Sequence, residues 1–359
     1  MTGSGVTGSG VRSAQAVLAR RLRTQARWCA ELGSPLYADL MARAAADVEA
    51  GGPVFDVLAG HDGDPGEHAI ALRLFGGLHR LALEGGAPDV AAHLPSTGGD
   101  ADADAAWPAV LAAVRGEAPR LRAGLTSPPQ TNEVGRSAAL LVGFHTVAAE
   151  TARPLRLLEV GASAGLNLRW DRYRYDVGAT SVGDDRSPVR FPSSWFDGVW
   201  SLPRAVAVTE RRGCDAAPID PAREDDRLRL LSYVWPDQRA RFERLAAALE
   251  VAARVPVVVD AADACDWLDS RLPESADGAA TVVFHSIFVQ YLSVAARARL
   301  LAIVEEAGRR AGHGAPLAWL RMEPGGERHA EVRLTMWPGG RERVLATAGF
   351  HGQPVRWLS

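Results

Sequence analysis

In the run Leu157-Leu158-Glu159-Val160-Gly161-Ala162-Ser163-Ala164-Gly165-Leu166-Asn167 a short apolar strand leads into a glycine-spaced turn that opens a helix. This is the form of a nucleotide-binding loop. Gly161 and Gly165 lack a Cβ, so the backbone can turn sharply and approach a ligand, with the N–H groups of the helix start facing it. A dinucleotide fingerprint has the spacing G-x-G-x-x-G and sets a pyrophosphate on the helix dipole. Here the small residues fall at Gly161, Ser163 and Gly165, and Leu166 stands where the fingerprint has glycine, so a dinucleotide fits badly. All 40 basic residues are arginine, which excludes a P-loop lysine and a Schiff-base lysine.

Two other clusters carry metal-ligand residue types. His61-Asp62-Gly63-Asp64-Pro65-Gly66-Glu67-His68 matches no zinc spacing, and Pro65-Gly66 marks a turn. Asp100, Asp102 and Asp104 imitate the start of an EF-hand, but Ala105 and Leu111 occupy the positions that need glycine and glutamate. No metal is expected. Arg20, Arg21, Arg23 and Arg27 are read as the solvated face of a helix.

The pattern Glu159-x-Gly161-x-Ser163-x-Gly165-x-Asn167 resembles motif I of class I S-adenosylmethionine (SAM)-dependent methyltransferases. In that superfamily an acid ends the first strand and the small residues, here with Ala162 among them, border the amino-acid part of the cofactor. Gly213-Cys214-Asp215-Ala216-Ala217-Pro218 resembles the G-x-D-x-S-P segment after the second strand. The resemblance implies that Asp215 accepts hydrogen bonds from the ribose hydroxyls. Pro256-Val257-Val258-Val259-Asp260-Ala261 resembles the G-D-A that ends the third strand, with Val259 in place of glycine, and implies Asp260 beside the adenine amino group. More narrowly, LLEVGASAGLNL, the Trp-Pro-Asp-Gln at Trp235 to Gln238 and the Thr-Asn-Glu-Val-Gly-Arg at Thr131 to Arg136 resemble an actinobacterial family called domain of unknown function 2332.

Methyl transfer from a sulfonium is an in-line displacement, so much of the acceleration can come from holding donor and acceptor in a near-attack geometry away from water. His285, just past the fourth strand, is where the superfamily places residues that contact substrate. It either takes a proton from an oxygen or nitrogen acceptor or caps the strand end by hydrogen bonding. Glu323, at the end of the fifth strand, has the same topological claim to a catalytic role. Arg169 and Asp171 follow the loop closely enough to reach the pocket, or pair with each other at the surface. Asn132 and Arg136 lie in a polar cluster that either closes over the methionine end of the cofactor or, through Thr131 or Asn132, caps the next helix.

Positioning these residues takes a sheet and its covering helices. Apolar runs at Leu157–Val160, Pro256–Ala261, Thr281–Ser286 and Pro316–Glu323, separated by helical stretches such as Ala295–Arg310, imply a mostly parallel sheet covered on both faces. The fold expectation is α/β, Rossmann-like in the manner of class I methyltransferases, with an N-terminal all-helical domain. Residues 1–12 are expected as a disordered tail, 13–125 as the helical domain and 126–359 as the SAM-binding domain. A helix is placed at Ala138–Ala149 and another at Pro236–Ala253. The stretch between the loop and Asp215 exceeds the roughly twenty residues of a minimal unit. Tyr173–Gly178 and Ser187–Phe191 are read as a hairpin inserted there, at about 170–204, over the cofactor pocket. Glu331–Trp337 and Arg343–Thr347, flanking Pro338-Gly339-Gly340, read as an antiparallel C-terminal hairpin with no helix before it.

At 359 residues and a net charge of −3 the chain shows no basic excess for a polyanion, so nucleic acid is not expected as a partner. Three scattered cysteines, no leader pattern and no apolar run near the ~20 residues of a membrane span point to a cytoplasmic protein without a membrane partner. The functional expectation is SAM-dependent methylation of a small-molecule acceptor in a pocket closed by the helical domain. Non-catalytic binding of SAM or S-adenosylhomocysteine (SAH), as a sensor or interaction module, and nicotinamide-dependent oxidoreduction are the alternatives.

Overall fold

The computed structural model of the chain describes residues 8–65, 69–126, 128–198, 205–274, 278–326 and 328–358. The chain divides into two units. One comprises Met1–Thr131 with Glu224–Glu243, the other Asn132–Arg223 with Arg244–Ser359.

The first unit is helical because its apolar residues recur at three- and four-residue steps. In α1 (Gly8–Glu31) Leu18, Leu22 and Cys29 are buried, and they pack on α2 (Pro35–Glu49) through Leu36, Leu40 and Met41. Gly8–Arg12, expected in a disordered tail, instead open α1; Met1–Thr7 lie outside the described residues. Next come α3 (Pro53–Leu58), α4 (Ile70–Leu83), α5 (Pro88–Ala91), α6 (Ala103–Gly116) and α7 (Ala118–Gly124). Prolines open α2, α3 and α5, where a missing N–H costs nothing.

The described residues of both metal-like clusters take part in ordinary structural contacts. Asp102 caps α6, accepting from the N–H groups of Asp104 (2.9 Å) and Ala105 (3.0 Å). Arg21, read as part of a wet helix face, donates to the carbonyls of His61 (2.9 Å), Asp62 (3.1 Å) and Asp64. A guanidinium thus stands among the carbonyls of that turn. Gly66–His68 lie outside the described residues, and no group of His, Cys, Asp and Glu among the described ones could hold a metal ion.

The Trp-Pro-Asp-Gln segment ties distant sequence into this unit. Trp235 is buried with the α1–α7 core, and Asp237 accepts from the Ser34 hydroxyl and the Leu36 N–H (2.9 Å) at the start of α2. Gln238 donates to the Leu32 carbonyl (2.8 Å). Asp237 is therefore a helix cap supplied from about 200 residues away, in a segment that also contains α9 (Glu224–Ser232). Asp237→Ala is expected to lower unfolding stability by about 1–2 kcal/mol. Urea unfolding checks it, and an unchanged midpoint would rule out the cap as a stabilising contact.

In the second unit α8 (Arg136–Thr151) leads into β1 (Leu155–Val160), buried at all positions as a strand covered on both faces must be. The chain continues through β2 (Arg174–Val177), β3 (Thr180–Gly183), β4 (Arg190–Phe191), β5 (Phe196–Asp197) and β6 (Val208–Asp215). Then follow α10 (Arg239–Arg254), whose residues up to Glu243 belong to the first unit, β7 (Val258–Ala261), α11 (Ala264–Arg271), β8 (Ala280–Ser286), α12 (Val294–Arg310) and β9 (Leu317–Pro324). It ends in β10 (Ala330–Trp337), β11 (Arg341–Ala348) and β12 (Val355–Trp357).

The main sheet has nine strands in the order β5-β12-β11-β10-β9-β8-β1-β6-β7. From β7 to β9 neighbouring strands are parallel, and β9 to β12 form an antiparallel meander. The strand order reverses between β1 and β8, the place where open α/β sheets bind ligands at their carboxyl ends. α8 crosses β8 to β11, while α11 and α12 enclose Leu158, Val160, Val283, Leu317 and Trp319. Among the described residues no helix is long and apolar enough to cross a membrane.

Three expectations about the second unit need correction. Asn167–Arg172 is a kinked 3₁₀ turn, not an α-helix. Arg169 Nη1 takes the carbonyls of Ala164 (3.2 Å) and Gly165 (2.7 Å), which the first turn of a helix would have used. Tyr173–Gly178 and Ser187–Phe191 do not pair as a hairpin. β2 pairs antiparallel with β3, through a two-residue turn at Gly178 (φ +58°), and parallel with β4. The helix placed at 236–253 begins at Arg239, in the first unit's part of the chain, where Trp235 is buried in the helical core and Asp237 caps α2. Residues 199–204 of the expected insertion lie outside the described residues.

Candidate functional site at the carboxyl edge of the sheet

The loop after β1 holds three residues in the left-handed region: Gly161 (φ +68°), Ser163 (φ +53°) and Gly165 (φ +65°). Glycine adopts this conformation freely, while for serine it costs on the order of 1–2 kcal/mol. Ser163 is held there by the Asp215 carboxylate, which accepts its N–H (2.9 Å), and by its own carbonyl, which accepts the Ile219 N–H (3.2 Å).

The loop's amides are spoken for. Ala162 N–H goes to the Cys214 carbonyl (3.0 Å), and Gly165 N–H to the Ala162 carbonyl (2.7 Å). The Ala164 (3.2 Å) and Leu166 (3.0 Å) N–H groups both donate to Asn132 Oδ1. Residues 162–166 therefore present no unused N–H to an anion, which a pyrophosphate site requires.

The Thr131–Arg136 segment organises this edge. Asn132 caps the glycine loop, and α8, whose N-cap is Gly135, receives no side-chain cap. Arg136 donates to the carbonyls of Ser286 (3.1 Å) and Phe350 (3.2 Å), so it joins the end of β8 to the segment between β11 and β12. A Cβ on Gly135 would lie 2.2 Å from the His351 carbonyl oxygen, so only glycine lets the chain pass.

Side-chain oxygens, in contrast to amides, are left over. Glu159 Oε2, Ser163 Oγ and Glu323 Oε2 are buried with no hydrogen-bond partner among the described residues. A buried polar atom left so costs about 1–3 kcal/mol, a cost that a hydrogen-bond donor arriving in the site would remove. Burial pushes the Glu159 carboxyl well above the usual range. The Arg169 guanidinium opposes this, Asp215 adds to it, and Arg136 and Asn167 pull weakly back. Asn167 accepts from the Ser137 hydroxyl (2.7 Å).

An acid whose folded pKa exceeds its unfolded one contributes stability that is present below the unfolded value, about 4.3, and lost as pH rises through the folded one. Glu159→Gln, which cannot ionise, is therefore expected to gain thermal stability over the wild type as pH rises from about 5 to 8. Parallel melting curves test this. A difference that is constant with pH would remove ionisation of Glu159 from the account.

Asp215 ends β6 beside the loop, and its two oxygens accept from Ser163 N–H and Ala217 N–H (each 2.9 Å). A carboxylate has about four acceptor positions, so two remain for hydroxyl donors. Asp260 is committed elsewhere: Arg212 forks onto it (2.8 and 3.1 Å), and Trp267 of α11 donates to it (2.7 Å). These partners hold its carboxyl below the usual range, the Arg212 hydrogen bond most of all. Any contact with an adenine would have to use the little acceptor capacity this pairing leaves.

His285 is fully buried at the end of β8. Trp319 Nε1, which can only donate, lies 3.2 Å from His285 Nε2, and His285 Nδ1 lies 2.6 Å from Glu323 Oε1. This assigns a neutral ring that accepts at Nε2 and donates at Nδ1, so neither nitrogen faces a substrate in this arrangement. Glu323 Oε1 also accepts the N–H groups of Phe288 (2.9 Å) and Val289 (3.3 Å). Desolvation raises the Glu323 carboxyl, but His285 and these N–H groups outweigh it and hold it below the ordinary glutamate value.

Sequence reasoning missed Phe288. A Cβ on Gly161 would lie 2.3 Å from its ring, so the ring rests on the glycine turn. No periodicity or motif marks it. Arg169 and Asp171 do not pair with each other: Arg169 is buried under the loop, and Asp171 pairs with Arg211.

The fold and site define an α/β protein with a helical N-terminal region and a mostly parallel sheet, whose carboxyl edge carries a glycine turn backed by acids. The chain belongs to the family described as uncharacterized protein conserved in bacteria (DUF2332), whose model matches residues 19–357. No curated protein and no solved structure matches it.

Proposed function

We propose that this chain binds SAM at the carboxyl edge of β1 and β6 and transfers its methyl group to a small-molecule acceptor. The observation that carries the reading is the imbalance of the loop: the carboxylate oxygens Glu159 Oε2 and Glu323 Oε2, with the Ser163 hydroxyl, have no hydrogen-bond partner among the described residues, while the amides of residues 162–166 are all used. Such an edge suits a ligand rich in donors and positive charge, as SAM is with its ammonium, sulfonium and ribose hydroxyls. It is unsuited to a pyrophosphate, which weighs against a nicotinamide dinucleotide.

The residues present fit SAM. Gly161, Ala162, Ser163 and Gly165 would border its amino-acid end with Glu159 behind them, and the spare acceptor positions of Asp215 would take the ribose hydroxyls. When bound, SAM supplies an activated methyl group on its sulfonium. The chain's own contribution is to orient and to exclude water, which for an in-line displacement supplies much of the rate. His285 and Glu323 serve in this reading as the support of the wall after β8, with Glu323 Oε2 the one acceptor of the pair left for a ligand. The engaged state of His285 favours a second reading, in which the unit holds SAM or SAH without transferring a methyl group.

Titration calorimetry with SAM, SAH and NAD in parallel tests the proposal. Heat of binding is expected from the first two and none from NAD, and Asp215→Ala is expected to weaken both adenosyl ligands. Binding of NAD alone, or of nothing by folded protein, would overturn it.

A further inference from the structure

The SAM reading leaves the aromatic ring over the glycine turn without a role and does not say which part of the ligand the neighbouring Glu323 Oε2 would meet. The turn after β8 is built with unusual care. Ile287 sits at φ +50°, a rare conformation for a β-branched residue, and its N–H donates to the Met322 carbonyl (2.8 Å). Glu323 Oε1 takes the next two N–H groups, and His285, itself fixed by Trp319, takes the same oxygen. The result is that the half-buried Phe288 ring rests against Gly161, while the carboxylate that holds the Phe288 N–H through Oε1 keeps its Oε2 buried without a partner among the described residues. An aromatic face next to a carboxylate is a recognition element for an organic cation. The neighbouring cations, Arg136 and Arg169, both direct their guanidinium groups to backbone carbonyls, Ser286 and Phe350 for the first, Ala164, Gly165 and Val255 for the second.

We propose that Phe288 and Glu323 form a cation-selecting wall that recognises the positively charged sulfonium of the methyl donor and thereby separates it from the neutral thioether product. This rests on the SAM reading above. Strain at Ile287 is then the means of holding the ring in place, because a relaxed turn would let it leave the glycine loop.

The experiment is calorimetric titration of the full chain with SAM and with SAH, for the wild type and for Phe288→Leu, Phe288→Tyr and Glu323→Gln, each first shown to be folded by circular dichroism. Phe288→Leu keeps the apolar bulk and removes the π face. It is expected to weaken SAM about three- to tenfold and SAH less than about twofold. Phe288→Tyr, which keeps the face, is expected to stay near the wild-type ratio, and Glu323→Gln to move the ratio the same way as the leucine variant. Equal loss of both ligands in Phe288→Leu, or no loss of either, would overturn the wall and leave the SAM reading standing. Absence of binding of both ligands by the wild type would overturn the SAM reading and the wall with it.

Discussion

Gly161→Arg is expected to abolish detectable binding of SAM and SAH, a loss of at least about a hundredfold in affinity. Two effects act together at this position. The backbone sits at φ +68°, where any side chain costs on the order of 1–2 kcal/mol, and the first side-chain atom would lie 2.3 Å from the Phe288 ring. The ring must move or the loop must, and the rest of the arginine has to occupy the space between them. The variant should melt earlier than the wild type while keeping its far-ultraviolet circular dichroism. Titration of that folded variant decides the matter: if SAH still binds with near wild-type affinity, the ligand does not approach the glycine turn.

Asn132→Ala is expected to be the most damaging single truncation at this edge, costing about 2–4 kcal/mol of unfolding stability. Its side-chain oxygen serves two buried amides, those of Ala164 and Leu166, and both lose their acceptor at once. The expected loss exceeds that of an ordinary helix cap because two buried amides are left without their acceptor together. Chemical denaturation measures it, and a loss of less than about 0.5 kcal/mol would mean that water reaches these amides readily and that the loop is open. Binding of SAH should fall as well, since the loop conformation at Ser163 and Gly165 depends on the same cap.

Much of the sheet was legible in the chain. β1, β8 and β9 are largely buried on both faces, so each carries a short apolar stretch (Leu157–Leu158, Val282–Phe284 and Leu317–Leu320) that a local reading detects. The C-terminal hairpin was marked by Pro338-Gly339-Gly340, and β10 and β11 pair across it. The short strands were not legible. β3 reads Thr-Ser-Val-Gly with only Val182 buried, and β4 and β5 have two residues each, too few for any period to appear. The helix expected after the glycine turn failed because Arg169 competes with the backbone for its carbonyls, a contest that propensity does not register.

The sequence by itself determined the strand–turn pattern at Glu159 to Gly165, the absence of lysine chemistry, the covered parallel sheet and the membership signalled by its motifs, because all of these are properties of neighbouring residues. Only the tertiary structure decided what the turn can bind. Whether an amide is free depends on Asn132 and Asp215, some 30 and 50 residues away from their partners, and whether His285 has a nitrogen to offer depends on Trp319 and Glu323 on the next strand. A hydrogen bond between distant residues leaves no local trace, since its partners are chosen by the packing of the sheet and not by the spacing along the chain.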